Sequence, residues 1–222
     1  MLKNMSERVL VIAAHPDDEV LGCGGTMARH IADGDEVHVL FVADGETSRG
    51  MKALPNRNFM ALAASKVLGT RPPQFLDFSD QRLDQLGLLD IVKLIEVHVF
   101  MVKPTIVYTH HAGDLNLDHR IVHQAVMTAC RPLPGSSVDA IYAFEVLSST
   151  EWGTGFAPNH FVDINGSAFL DKMAALKCYA SEIREHPHPR SFETVHRLEK
   201  LRGAACGVDR AEAFMTLRSI VR

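Results

Sequence analysis

The feature that most constrains the fold is a short stretch near the N-terminus, Val9-Leu10-Val11-Ile12-Ala13-Ala14-His15-Pro16-Asp17-Asp18-Glu19. Its first six residues are an unbroken apolar run, which suits a strand buried on both faces of a parallel sheet. Polarity then changes abruptly, with His15, Asp17, Asp18 and Glu19 inside five positions. Open α/β sheets bind their ligands at this C-terminal strand edge. Pro16 fixes its own φ and biases His15 toward an extended conformation. The side chains of His15 and Asp18 can then converge on one point, while Asp17 between them points elsewhere. One imidazole and one carboxylate make two thirds of a catalytic zinc site of the His-and-carboxylate kind. A helix N-cap with first-turn carboxylates would explain one or two of these acids. It does not explain a His and three acids leaving a buried strand together.

The chain of 222 residues is 46% hydrophobic, enough for one domain over 1–222 with a full core. A net charge of -4 gives no footprint for nucleic acid. Cys23, Cys130, Cys178 and Cys206 are widely spaced with no CxxC pair, the pattern of reduced thiols in a cytoplasmic protein. Met1 to Arg8 is polar and too short for a signal peptide. No apolar run approaches membrane-spanning length, so no integral membrane segment is expected. Homo-oligomer formation is left open.

The order of elements predicts an α/β fold. Strands are expected over Arg8–Ala14, Glu36–Val42, Gln74–Phe78 and Thr105–Thr109. Between them lie helices from Asp18 or Leu21 to Ala32, from Arg57 to Leu68, and from Leu88 to Val102. This alternation is that of a doubly wound parallel sheet. Gly22, Gly24 and Gly25 lower helix propensity in the first helix, and close backbone packing accounts for them better than a phosphate loop, since no GxGxxG or GxxxxGK pattern is present. After Pro132 the alternation lapses. Strands are expected over Ala140–Val146 and His160–Ile164, helices over Ser167–Tyr179 and Phe192–Cys206, and a closing segment over Ala211–Ile220.

A second cluster leaves the fourth strand: His110-His111-Ala112-Gly113-Asp114-Leu115-Asn116-Leu117-Asp118-His119-Arg120-Ile121-Val122-His123. Asn116 or Asp118 can cap the following helix. His119 and His123 are four apart and share a face, and either could complete the metal site. Other polar loops leave strand ends. The Asp44–Glu46 loop suits sugar hydroxyls or plain solvation, and Asp80 is the best polar contact of its loop. Trp152, the only tryptophan, suits stacking on a sugar ring or a place in the core.

His15-Pro16-Asp17-Asp18-Glu19 with Leu21-Gly22-Cys23-Gly24-Gly25-Thr26, and the later pair Asp118-His119, resemble the signature of the PIG-L / LmbE-like zinc-dependent N-deacetylases. That resemblance implies a three-layer Rossmann-like fold with a mostly parallel sheet flanked by helices. It implies His15, Asp18 and His119 as ligands of one Zn2+ per chain, though other divalent metals accept such ligands. Asp17 is then the general base for a zinc-activated water. Arg57, by position, and His188 and Arg190, in a His-Pro-Arg-Ser segment, are implied substrate contacts. Many family members have an oxyanion-stabilising His three residues before the ligand His. Here that position is Asn116, so the donor is Asn116 or one of His110, His111 and His188. The implied substrate is an N-acetylglucosamine-type sugar, free or attached to a thiol precursor, glycolipid, nucleotide or antibiotic scaffold. Two alternatives stand beside it: an amidase acting on a larger amino-sugar conjugate, and a metal-binding protein without catalysis.

Overall fold

The computed structural model describes residues 6–49 and 56–221. In chain order the elements are β1 (Arg8–Ala13), α1 (Asp18–Ala32), β2 (Glu36–Ala43), α2 (Arg57–Leu68), β3 (Gln74–Phe78), α3 (Leu88–Val102), β4 (Ile106–His110), α4 (Leu117–Ala129), β5 (Ala140–Phe144), β6 (His160–Asp163), α5 (Ser167–Cys178), α6 (Phe192–Cys206) and β7 (Ala211–Ser219). The strands form one seven-stranded sheet in the order β3-β2-β1-β4-β5-β7-β6. The first five run parallel, and β7 pairs antiparallel with both β5 and β6. The closing segment, to which the sequence assigns no element type, is therefore a long strand inserted between β5 and β6.

β1 lies near the middle of the sheet because its side chains are apolar on both faces. Val9, Val11 and Ala13 pack with α1, α2, α5 and α6 on one face. Leu10, Ile12 and Ala14 pack with α3 and α4 on the other. Each fully buried Val, Leu or Ile here contributes on the order of 1.5–3 kcal/mol. The chain winds outward from β1 through β2 to β3, then returns to the other side of β1 with β4. The strand order thus reverses between β1 and β4, the point where such sheets open a crevice at their C-terminal edge. Both polar clusters of the sequence emerge there. Among the described residues, no helix is long and apolar enough to cross a membrane.

The glycines of α1 serve close packing, as expected. A β-carbon on Gly22 would overlap the buried Phe144 ring, and one on Gly25 would lie 2.8 Å from Ile164. Gly22→Ala should therefore destabilise the fold by about 1–3 kcal/mol despite the better helix propensity of alanine. A lowered urea midpoint with an unchanged slope checks this.

Candidate metal centre

The turn after β1 holds an unusual backbone. Asp17 has φ 113°, a left-handed value uncommon outside glycine. Its N–H donates to Glu19 Oε2 at 2.9 Å, and Tyr179 Oη donates to Glu19 Oε1 at 2.7 Å. Burial pushes the Glu19 carboxyl up to about 8, against the pull of those two donors.

This turn sets His15 and Asp18 beside His119, which enters from the first turn of α4. Ligand atoms of His15, Asp18 and His119 lie within 4.8 Å of one another, and all three residues are buried. His15 Nδ1 is 3.2 Å from Asp18 Oδ2. Its Nε2 is 3.0 Å from both Asp118 Oδ2 and Asp80 Oδ1. His119 is held in the same manner, with Nδ1 3.2 Å from Asp114 Oδ1. Carboxylates on the outer nitrogens leave His15 Nδ1 and His119 Nε2 turned toward Asp18, the arrangement by which proteins orient metal-binding imidazoles. His119 Nε2 lies 3.2 Å from Asp18 Oδ2 without hydrogen-bond alignment. Among the described residues, neither His119 Nε2 nor Asp18 Oδ1 has a hydrogen-bond partner. Buried polar atoms are rarely left so, and a divalent cation is what this donor set fits.

The charges agree with that fit. Burial lowers the His15 and His119 pKa values, yet the surrounding carboxylates outweigh it and both are raised. Burial raises Asp18, and His119 and His15 outweigh it and hold it well below the usual range. Asp80 and Asp114 are likewise held low, against burial, by their histidine and hydroxyl partners. Protons on two imidazoles or one dication would each offset part of this negative charge.

Asp17 sits beside the ligand set with different partners. Arg57 Nη2 donates to its Oδ2 at 2.7 Å and Arg190 Nη1 at 3.0 Å. Glu182 lies 3.4 Å from Arg57 and 3.8 Å from Arg190. Asp17 Oδ1 is buried without a hydrogen-bond partner among the described residues. Burial raises the Asp17 carboxyl more than the two guanidiniums lower it.

The remaining candidates divide between the centre and the loops around it. Arg57, buried at the start of α2, also donates to the Gly45 carbonyl at 2.9 Å, and with Arg190 it holds Asp17. Asp44 turns its Oδ1 onto the N–H groups of Glu46 and Thr47, at 2.9 and 3.1 Å, and so folds its own loop. Glu46 accepts from the Arg57 N–H. Asp80 takes Ser48 as well as His15. Asn116 caps α4 by accepting from Asp118 N at 2.9 Å, which leaves its NH2 as the donor on offer. Of the histidines considered in its place, His110 stacks on His119 at 3.9 Å and accepts from Ala14 N. His111 is bonded to the Thr154 carbonyl at 2.7 Å. His188 is exposed and accepts from Arg190 N at 3.0 Å. Trp152 is 56% exposed, which rules out the core alternative. His123 Nδ1 is bonded to the His110 carbonyl at 2.8 Å.

Sequence reasoning misses Asp114, Ser149, Thr150, Tyr179 and Glu182. Ser149 and Thr150 donate to the two Asp114 oxygens. Asp114 carries a readable signal, as an acid in the loop that leaves β4.

The PIG-L family profile, described as GlcNAc-PI de-N-acetylase, matches residues 10–130, more than half of the chain. The chain belongs to that family. YaiS of Escherichia coli, an uncharacterised deacetylase, is 33% identical over 183 residues, 80% of this chain and 93% of its own. The 4-oxalmesaconate hydratase of Pseudomonas putida is 30% identical over 198 residues, 78% of this chain and 73% of its own. The solved structure of N,N'-diacetylchitobiose deacetylase from Pyrococcus horikoshii superposes with a TM-score of 0.78 at 20% identity, over 98% of this chain and 87% of that one.

The contacts of the two α4 histidines predict opposite outcomes on substitution. His119→Ala should lose the bound divalent metal, whereas His123→Ala should keep it, as elemental analysis of dialysed protein would show. Full occupancy in His119→Ala would remove it from the ligand set.

Proposed function

We propose that this chain is a metal-dependent N-deacetylase that removes the acetyl group from an N-acetylglucosamine-type amino sugar or its conjugate. The observation that carries the reading is the group of buried, unspent acceptor atoms: His119 Nε2 and Asp18 Oδ1, with Asp17 Oδ1 on the neighbouring residue. The family description and the deacetylase relative support the reaction type. A zinc-class ion held by His15, Asp18 and His119 would supply Lewis acidity toward water and toward the amide carbonyl.

The chain's own residues do the rest. Asp17 accepts the proton of the attacking water at Oδ1 and returns it to the leaving nitrogen. Arg57 and Arg190 fix the carboxylate through its other oxygen. The Asn116 NH2 donates to the oxygen that becomes negative as the carbonyl carbon turns tetrahedral. The C–N bond breaks to give acetate and a free amine. The unpaired thiols, with Cys23 and Cys130 buried, support a cytoplasmic setting.

A second reading is favoured by the hydratase relative: water addition to an unsaturated carboxylic acid at the same residues, with Arg190 meeting a substrate carboxylate. A panel of N-acetyl amino sugars assayed for acetate, beside unsaturated dicarboxylic acids assayed by loss of ultraviolet absorbance, separates the two. Release of a larger acid would mark an amidase, and a metal-loaded but inert protein would mark a binding role. Under the deacetylase reading, Asp17→Asn should retain metal and lose roughly 10²–10⁴ in turnover. Glu19→Gln should cost much less, because the amide preserves the shape and an acceptor for the Asp17 N–H. Equal losses at the two positions would assign the base wrongly.

A further inference from the structure

In a regular α-helix the N–H of residue 25 donates to the carbonyl of residue 21. α1 departs from that pattern at Cys23, where φ is −148° and ψ is 25°. The break opens this turn, and both groups have partners from far along the chain. Gly25 N donates to Glu212 Oε1 at 2.9 Å, and Thr26 N donates to Glu212 Oε2 at 2.6 Å. The Leu21 carbonyl accepts from Lys172 Nζ at 3.0 Å. Lys172 Nζ also donates to Glu212 Oε1 at 2.6 Å and lies 2.9 Å from Glu199 Oε1. The two halves of the broken helix bond are thus joined through one ion pair between α5 and β7.

Lys172 and Glu199 are each 2% exposed and Glu212 is 4% exposed. A buried ion pair of this kind is weak evidence for stability, because desolvation offsets much of the attraction. Its geometry says more than its energy. Glu212 caps the second segment of α1 at its N-terminus, where backbone donors need an acceptor. Lys172 satisfies the carbonyl end of the first segment, which is the turn that carries Asp18. A β-carbon on Gly24 would lie 3.0 Å from Lys172 Cγ, so a side chain there would displace the lysine stem.

We propose that Lys172 and Glu212 are positioning residues, a buried ionic latch that sets the first turn of α1 and with it Asp17 and Asp18. The proposal rests on the reading of Asp18 as a metal ligand. Burial raises the Glu199 carboxyl, and Lys172, 2.9 Å away, pulls it the other way.

The test compares wild type, Lys172→Met, Glu212→Gln and the double variant, which removes both members of the pair together. Metal affinity is read by chelator competition with zinc, and ligand geometry by the visible spectrum of the cobalt-loaded protein. Each folded variant should bind zinc about 10–100-fold more weakly, the usual cost of disturbing groups behind a metal ligand, and should show an altered cobalt spectrum. In the metal-free protein, amide exchange at Gly25 and Thr26 should quicken roughly tenfold relative to β1. If Lys172→Met does not fold, the double variant decides on the same readings. Folded variants with wild-type affinity and spectrum, or with unchanged exchange at Gly25 and Thr26, overturn the latch. Wild-type protein that binds no metal would overturn the metal reading instead, while the exchange measurement still judges the latch.

Discussion

Burying an ionised carboxylate costs several kcal/mol unless a cation or a set of donors meets it. This fold nonetheless buries Asp17, Asp18, Asp80, Asp114 and Asp118 around the ends of two adjacent strands. The acids are met in different ways. Asp118 takes the N–H groups of Gln81 and Leu83 together with His15. Asp114 takes two hydroxyls and His119. Asp17 takes two guanidiniums. Asp18 alone faces the inner nitrogens of both histidines with one oxygen unmet. The candidate metal centre is therefore the remainder of a charge balance, and the surrounding carboxylates orient its two histidines.

The fold is largely readable in the sequence because its constraints are local. An apolar run that turns polar at His15 marks β1 and its edge. Pro104 and the Asn116 cap mark β4 and its exit. Two parallel strands joined through the switch point then bring His15, Asp18 and His119 together. Element boundaries shift by a residue or two where strands end, as at Phe144 instead of Val146. β7 is harder to read, because Ala211–Ser219 mixes polar and apolar residues without a clean period and pairs antiparallel in an otherwise parallel pattern.

The site is less readable where it depends on contacts between distant segments. The family resemblance implies Arg57 and Arg190 as substrate contacts but does not say that both turn onto Asp17. Asp44 and Glu46 look like ligand contacts by composition, yet they close their own loop and brace the start of α2. Lys172, Glu199 and Glu212 give no motif at all, since a lysine and two glutamates on separate amphipathic elements look like surface residues. Only burial in three dimensions reveals them as one cluster. The family profile ends at residue 130, so the support supplied by Tyr179, Glu182 and Arg190 lies beyond the signature it supports.

That division has a consequence for the order in which the protein assembles as it is made. Glu212 reaches Gly25 across 187 positions of sequence, and it stands on the strand that completes the sheet between β5 and β6. Synthesis delivers the N-terminal half first, at about 5–20 residues per second. β1, β2 and β4 can pair while the rest of the chain is still being made. If the latch holds, the turn that carries Asp17 and Asp18 takes its final form only with β7 in the sheet. Under the proposed latch, the geometry of the turn between β1 and α1 thus depends on a residue 187 positions beyond Gly25 in the sequence.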